Sequence, residues 1–266
     1  MIIKLPTFLK PLHYSDLIRV GKNNDGGYVI SKKSLLESEC LMSLGLNNDC
    51  SFEEEFKRYN NCEIFSYDNT VHIKFWLKKI ATDFFNLFFF DFKNFIRENH
   101  IYLFYKYLKF YNKKSNFHFK KNITNNGFYG SKVQKSNSID FVDAFNFINK
   151  KNVFLKIDIE GYEYRILDQI LEIQNKISGL VIEFHDCDLN INRIESFIKN
   201  FDLKLVHIHH NNWSSVTNKG LPIALELSFT TNKNIETKKT DLLYPSKYDQ
   251  PNNPDLKDLE IQFDEN

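Results

Sequence analysis

Residues 153–167, Val-Phe-Leu-Lys-Ile-Asp-Ile-Glu-Gly-Tyr-Glu-Tyr-Arg-Ile-Leu, restrict the fold more than any other stretch of the chain. Val153, Phe154, Leu155 and Ile157 make the apolar run of a buried strand. Two acids, Asp158 and Glu160, stand at its carboxyl end, and Gly161 turns the chain. Ile166, Leu167, Ile170 and Leu171 then recur at the spacing of one helix face. In open α/β sheets ligands collect outside the carboxyl ends of the strands, which is where Asp158 and Glu160 stand. Glu163 reads as an acid in the first turn of the helix, where the helix dipole favours negative charge.

The elements before this unit carry weaker signals. Asp25-Gly26-Gly27 is a turn leading into the strand-like Tyr28-Val-Ile30, the pattern of a hairpin; adjacent glycines also let backbone approach a ligand closely. Leu41 to Gly45 reads as a short strand ending in glycine. Leu46-Asn47-Asn48-Asp49 follows, then a helix opened by Ser51 with Glu54 three residues on, a capping box. No G-x-G-x-x-G is present, so the dinucleotide fingerprint is missing. Glu63 to Asp68 is a second strand ending in an acid. Its distance from Gly45 is close to the roughly 20 residues that separate a glycine turn from a ribose-binding carboxylate.

Residues 71–115 break the alternation. They read as two or three aromatic, lysine-bearing helices, and the apolar run Phe84 to Phe90 is far shorter than the roughly 20 residues of a membrane span. A helical insertion packing over the site or against a partner subunit is favoured there over membrane-surface contact. Phe117 to Lys121 reads as a third strand, Asn125 to Gly130 as a loop and Ile139 to Ile148 as an amphipathic helix. Leu180 to His185 is the next strand, followed by a helix with Ile191, Ile194, Phe197, Ile198 and Phe201 on one face. Leu203 to His209 and Ile223 to Phe229 are further strands with no helix between them, so they pair antiparallel. Strands alternating with helices imply a mostly parallel sheet covered on both faces. Beyond residue 231, Pro245, Pro251 and Pro254 favour an extended arm that lies over the sheet or reaches a neighbouring subunit. The chain therefore divides into an N-terminal segment (1–40), a core (41–230) with an insertion at about 71–115, and a C-terminal arm (231–266).

Composition excludes some classes. The 35 basic and 34 acidic side chains leave a charge of +1, which gives no global argument for nucleic acid or an anionic membrane as partner. Cys40, Cys50, Cys62 and Cys187 show neither C-x-x-C spacing nor a disulfide-rich pattern, and read as reduced thiols of a cytoplasmic protein. Met1-Ile-Ile-Lys-Leu-Pro has no run long enough for a signal peptide.

A sheet wound in this way brings three strand ends together: Asp158 and Glu160; Glu183, His185 and Asp186; and His207, His209 and His210 with Asn211 and Asn212. Carboxylates grouped with imidazoles support general base catalysis by a histidine on an alcohol, or a divalent metal that acidifies a bound hydroxyl. A third reading makes one or two of the histidines satisfied core residues. His207 and His209 alternate along one strand and share a face. Neither a G-x-S-x-G elbow nor a Walker A motif occurs.

The chain resembles the FkbM-type S-adenosylmethionine-dependent methyltransferases. The likeness runs from Arg19-Val-Gly and Asp25-Gly-Gly-Tyr-Val-Ile30 through Ser43-Leu-Gly-Leu and Ser51-Phe-Glu53 to Leu155-Lys-Ile-Asp-Ile-Glu-Gly-Tyr-Glu163. It continues through Ile182-Glu-Phe-His185, His209-His-Asn-Asn212 and Pro222-Ile-Ala-Leu-Glu-Leu-Ser-Phe229. The resemblance implies an α/β, Rossmann-like class I methyltransferase sheet, mostly parallel with an antiparallel C-terminal strand, plus the helical insertion. It implies S-adenosylmethionine as cofactor, bound by Asp25, Gly26, Gly45, Asn48, Asp68, Asp158 and Glu160. Gly45 would lie beside the methionine part, Asp68 on the ribose, and the Asn126 to Gly130 loop beside the adenine. Asn47 and Asn48 stand where further glycines are usual.

The same resemblance implies His185, Asp158 and His209 as catalytic residues, with His185 the base. In related sugar O-methyltransferases acids after these strands bind magnesium, so a divalent metal on Asp158, His185 and His209 is the alternative. Two histidines would suit manganese, iron or zinc better. The implied activity is O-methylation of a sugar hydroxyl, on a nucleotide-activated or glycan-linked sugar of bacterial surface or capsular polysaccharide. Alternatives are a small non-sugar metabolite, a phosphoramidate-type group, or a non-catalytic scaffold. The expected partners are such a small-molecule substrate and a second copy of the chain, met through the insertion or the arm.

Overall fold

The structure, a computed structural model, describes residues 2–88, 99–126, 137–218, 220–231 and 243–264. Chain order begins with β1 (Ile2–Leu5), β2 (Leu17–Val20), β3 (Tyr28–Ser31), α1 (Lys32–Glu37), β4 (Cys40–Leu44), α2 (Ser51–Tyr59) and β5 (Glu63–Tyr67). The helices α3 (Ile73–Phe88) and α4 (His100–Tyr111) lead to β6 (Asn116–Phe119), β7 (Asn122–Thr124) and β8 (Ser138–Asp140). Then follow α5 (Phe141–Ile148), β9 (Val153–Ile157), α6 (Glu163–Glu172), β10 (Ile177–Phe184), α7 (Cys187–Asn200), β11 (Lys204–His210), β12 (Leu225–Thr230) and β13 (Glu260–Phe263).

Seven strands form the central sheet in the order β11-β12-β10-β9-β4-β5-β6. Every pairing is parallel except the two made by β12, which lies antiparallel between β10 and β11. The mostly parallel α/β sheet with one antiparallel C-terminal strand is therefore present. β12 pairs with β11, as the missing helix between them requires, and it also separates β11 from β10.

Helices cover both faces, which is why β4, β9 and β10 are buried along their whole length and read as near-continuous apolar runs. Alternation along β9 sorts its side chains between two cores. Val153, Leu155 and Ile157 pack with Phe141 and Phe145 of α5, Ile166, Leu167 and Ile170 of α6 and Phe197 of α7. Phe154 packs on the opposite face with Leu35 of α1 and Phe52 and Phe56 of α2.

Between β5 and the sheet-edge strand β6 the described residues form the helices α3 and α4, where the sequence reads a helical insertion. Some local expectations change. The capping box at Ser51 is absent: Asp49 Oδ1 accepts the Ser51 amide at 3.0 Å, and Glu54 pairs with Lys106 of α4 at 2.8 Å. An Asx turn satisfies the first helical N–H earlier, freeing the glutamate for α4. The helix expected from Ile139 begins at Phe141, because Asp140 accepts the Val142 amide at 2.9 Å and caps it. The C-terminal stretch folds back on its own chain: β13 runs parallel to β1, and Tyr244 bridges to Ile261. No helix among the described residues is long and apolar enough to cross a membrane.

Candidate active site

A cavity of about 740 Å³ opens at the carboxyl ends of β4, β5, β9 and β10 and is walled on one side by the turn of the β2–β3 hairpin. Asp25, Gly26, Gly45, Asn48, Asp68, Asp158, Glu160 and His185 all line it. Its size lies within the range of small-molecule sites.

Gly45 shapes one end. Its φ is +85°, and a Cβ there would stand 1.7 Å from the Asp158 carbonyl oxygen. Only glycine lets the turn after β4 pass this close to the turn after β9. The Gly45 carbonyl accepts from Lys156 Nζ at 2.5 Å. Gly26 (φ +86°) does the same for the hairpin turn, where a Cβ would meet Asp49 Oδ2 at 2.6 Å.

Asp68 fixes the loop that follows Gly45. Its Oδ2 accepts from the Leu46 and Asn47 amides at 2.9 and 3.1 Å, and its Oδ1 from the Thr70 amide and hydroxyl at 2.7 and 2.6 Å. Burial opposes ionisation, but these four donors prevail and hold the carboxyl below its ordinary range. A carboxylate offers about four lone-pair sites, and these four donors match that number.

The opposite end is acidic. Asp158 Oδ2 accepts from the Tyr28 hydroxyl at 3.0 Å and lies 3.8 Å from Lys156 Nζ. Glu183, buried, accepts from Asn211 Nδ2 at 2.7 Å and lies 3.4 Å from the Tyr28 hydroxyl. Burial, with the charges of Asp158 and Glu226, pushes the Glu183 carboxyl well up. His185 stands between these groups. Its Nε2 is 3.5 Å from Glu160 Oε2, 3.8 Å from Glu183 Oε1 and 4.0 Å from Asp158 Oδ1. Its Nδ1 is 3.0 Å from Glu163 Oε1. A carboxylate accepts only, so Nδ1 carries the hydrogen and Nε2 faces the cavity. Burial alone would lower the His185 pKa; the Glu163 hydrogen bond and the surrounding carboxylates override it and raise it to about 9.

Glu163 keeps its expected place in the first turn of α6. Its Oε1 also accepts the Ile159 and Gly161 amides at 3.1 and 3.3 Å, so one carboxylate sets both the β9–α6 turn and the His185 ring.

The structure corrects the place of His209. Across the sheet, Glu183 is opposite Glu226 and Glu226 is opposite His209. The intervening strand puts His209 about two strand spacings, roughly 10 Å, from Glu183. His209 is not among the residues lining the cavity. Its Nδ1 lies 3.2 Å from Glu226 and its Nε2 3.2 Å from Asp258 of the C-terminal stretch. His207 likewise meets Asp249 at 3.1 Å. Of the third strand end, Asn211 reaches the acidic group. Among the described residues, the group of three whose ligand atoms all lie within 4.8 Å of one another is Asp158, Glu183 and His185, so Glu183 takes the position that His209 held in the expected metal set. The loop expected beside adenine lies, from residue 127 to 130, outside the described residues.

Lys156 was not singled out from sequence, although a signal was there: a lysine inside an apolar strand, two residues from Asp158 and so on the same face. Buried, it counters Asp158 and also Glu53, whose carboxylate accepts from Ser43 Oγ at 2.5 Å.

Comparison with known proteins gives one sequence match. The family model described as Methyltransferase FkbM domain matches residues 16–205. No curated protein matches the sequence. Similar solved structures include an rRNA methylase from Streptococcus thermophilus, with 8% identity, a TM-score of 0.38 and coverage of 76% of this chain and 95% of that one. A precorrin-6y C5,15-methyltransferase from Geobacter metallireducens has 11% identity and a TM-score of 0.33, covering 76% and 86%. TYW2 from M. jannaschii, in complex with AdoMet, has 10% identity and a TM-score of 0.34, covering 82% and 89%.

Proposed function

The chain belongs to the methyltransferase FkbM domain family, and from that premise we propose an S-adenosylmethionine-dependent O-methyltransferase that acts on a sugar hydroxyl. The observation that carries this reading is His185, held by Glu163 at Nδ1 and turned into the cavity at Nε2. The chain's residues fit the cofactor: Gly45, Asn48 and Asp68 line one wall of the cavity, and the close approach of the Gly45 turn to the Asp158 carbonyl fixes the shape of that wall. When bound, the cofactor supplies a methyl group on a cationic sulfonium. The protein's task is then to align an acceptor oxygen and remove its proton.

His185 Nε2 accepts that proton once it has itself lost one, and Glu163 stabilises the resulting imidazolium. Asp158, Glu160 and Asn211 offer hydrogen-bonding partners for neighbouring hydroxyls, and Trp213 in the same wall offers a flat apolar face. A phosphate would be repelled by the acids at this end, so a nucleotide-activated sugar would enter with its ring toward His185. Glycan-linked sugars of bacterial surface polysaccharide fit equally, and the free thiols suit a cytoplasmic enzyme.

A second reading rests on the closeness of Asp158, Glu183 and His185. Two carboxylates and one imidazole suit magnesium or manganese, and a cation held there would acidify the acceptor hydroxyl. The test is to incubate the protein and cofactor with a panel of nucleotide sugars and glycan fragments and read a one-methyl mass gain. Transfer only to non-sugar acceptors would replace the sugar reading. Absence of any cofactor binding by calorimetry would remove the enzyme reading altogether.

A further inference from the structure

We propose that the α3–α4 hairpin is a docking surface for a membrane carrying anionic lipid. The inner faces of the two helices are anchored. Trp76 packs on Phe104 and Tyr107 with ring centroids 5.2 and 5.3 Å apart, and joins Leu46 of the cavity loop in one apolar cluster. Asp83 is fully buried, and its Oδ2 caps α4 by accepting the His100 amide at 2.8 Å.

The outer faces have the opposite of ordinary amphipathicity. Ile73, Leu77 and Phe84 fall on one face of α3 and are 58, 60 and 61% exposed. Ile101, Tyr105 and Leu108 form a similar exposed stripe on α4. Exposed lysines accompany both: Lys74 and Lys78 on α3, Lys109 on α4. The only acid within the two helices is Asp83, which is buried and bonded to His100. The segment between the helices contributes two acids and two bases in sequence, so it leaves the balance unchanged.

Charge decides the occupant. A second copy docked face to face would set lysines against lysines with no exposed acid on either helix to pair them. An anionic bilayer answers both features: aromatic and aliphatic side chains enter the headgroup boundary while lysines meet lipid phosphates. The hairpin would then hold the cavity loop near the membrane surface without spanning it.

The test is co-sedimentation of the full chain with phosphatidylcholine vesicles, with and without about one-third phosphatidylglycerol. The expected result is binding to the anionic vesicles and little to the neutral ones. Leu77→Ser with Phe84→Ser, and separately Lys74→Glu with Lys78→Glu, should each weaken it about tenfold or more. Calorimetric affinity for S-adenosylmethionine should be retained, showing that the variants are folded. Equal binding to both vesicles, or none to either, would overturn the proposal. So would a concentration-dependent dimer, seen by sedimentation, that the Leu77/Phe84 variant abolishes. Because cofactor affinity and transfer to soluble acceptors are read separately, failure here leaves the proposed chemistry intact.

Discussion

Glu163 Oε1 lies 3.0 Å from His185 Nδ1, and the same oxygen accepts two amides of the turn that carries Glu160 and Gly161. The group that orients the imidazole is therefore built into the start of α6, and loop and ring cannot move independently. Replacing His185 with Ala should lower turnover by about 100-fold or more, while calorimetric affinity for S-adenosylmethionine stays within a few fold. Unchanged turnover would clear His185 of any part in the reaction.

The pH profile follows from the same contact. Ringed by carboxylates, His185 has its pKa raised to about 9, so at neutral pH most molecules hold it protonated and unable to accept a proton. kcat/KM should rise with pH through an inflection near 9 and level off only above it. Glu163→Gln keeps the shape but removes the charge, which should move the inflection to lower pH and reduce the plateau. A profile flat from pH 6 to 9, within the usual histidine range, would rule out His185 as the base.

Gly45→Ala should remove cofactor binding. The added methyl would strike the Asp158 carbonyl, and φ of +85° is unfavourable for alanine, with a stability cost of roughly 1–3 kcal/mol. Asp68→Asn should act more mildly, weakening cofactor affinity about tenfold through lost charge-assisted bonds to the Leu46–Asn47 loop. Calorimetry beside thermal denaturation distinguishes the two.

The C-terminal stretch should loosen in alkali. Asp258 and Glu226 outweigh burial and lift His209 from 6.5 to about 10. A folded-state pKa above the unfolded one means the stabilisation is complete below about 6.5 and disappears as pH rises through 10. Asp249 is the reverse case. Its pKa is depressed to about 2 as His207 prevails over burial, so its contribution is present above 3.8 and lost as pH falls through 2. Hydrogen exchange of residues 243–264 should therefore quicken between pH 6.5 and 10, and His209→Gln should flatten that dependence.

Chelation separates the two chemical readings. With His185 as a simple base, EDTA leaves the rate unchanged. With a cation on Asp158, Glu183 and His185, it abolishes activity and manganese restores it, and Glu183→Gln weakens the restoration.

Much of the site was legible because its signals are local. An apolar run ending in Asp158, a glycine at 161 and a helical repeat after it identify a strand, a turn and a helix without reference to the rest of the chain. The interval from Gly45 to Asp68 placed both in one cavity wall, and Glu163 stood in the first turn of its helix as the dipole argument required. The capping box at Ser51 failed for a nearby reason: Asp49, two residues earlier, competes for the same amide, and Lys106 on a distant helix claims Glu54.

His209 shows where sequence ran out. Its residue type, its strand and its face were all legible, but its neighbours were not. Strand order is set by pairing between segments far apart in the chain, and no local pattern records that β12 inserts between β10 and β11. That insertion sets Glu226 between Glu183 and His209, gives His209 to Asp258, and leaves the cavity to Asp158, Glu183 and His185. The sequence by itself determined the elements, their faces and the acids at their ends, because periodicity and turn chemistry act over a few residues. Tertiary structure alone decided which of those ends meet, because that depends on which strands exchange hydrogen bonds.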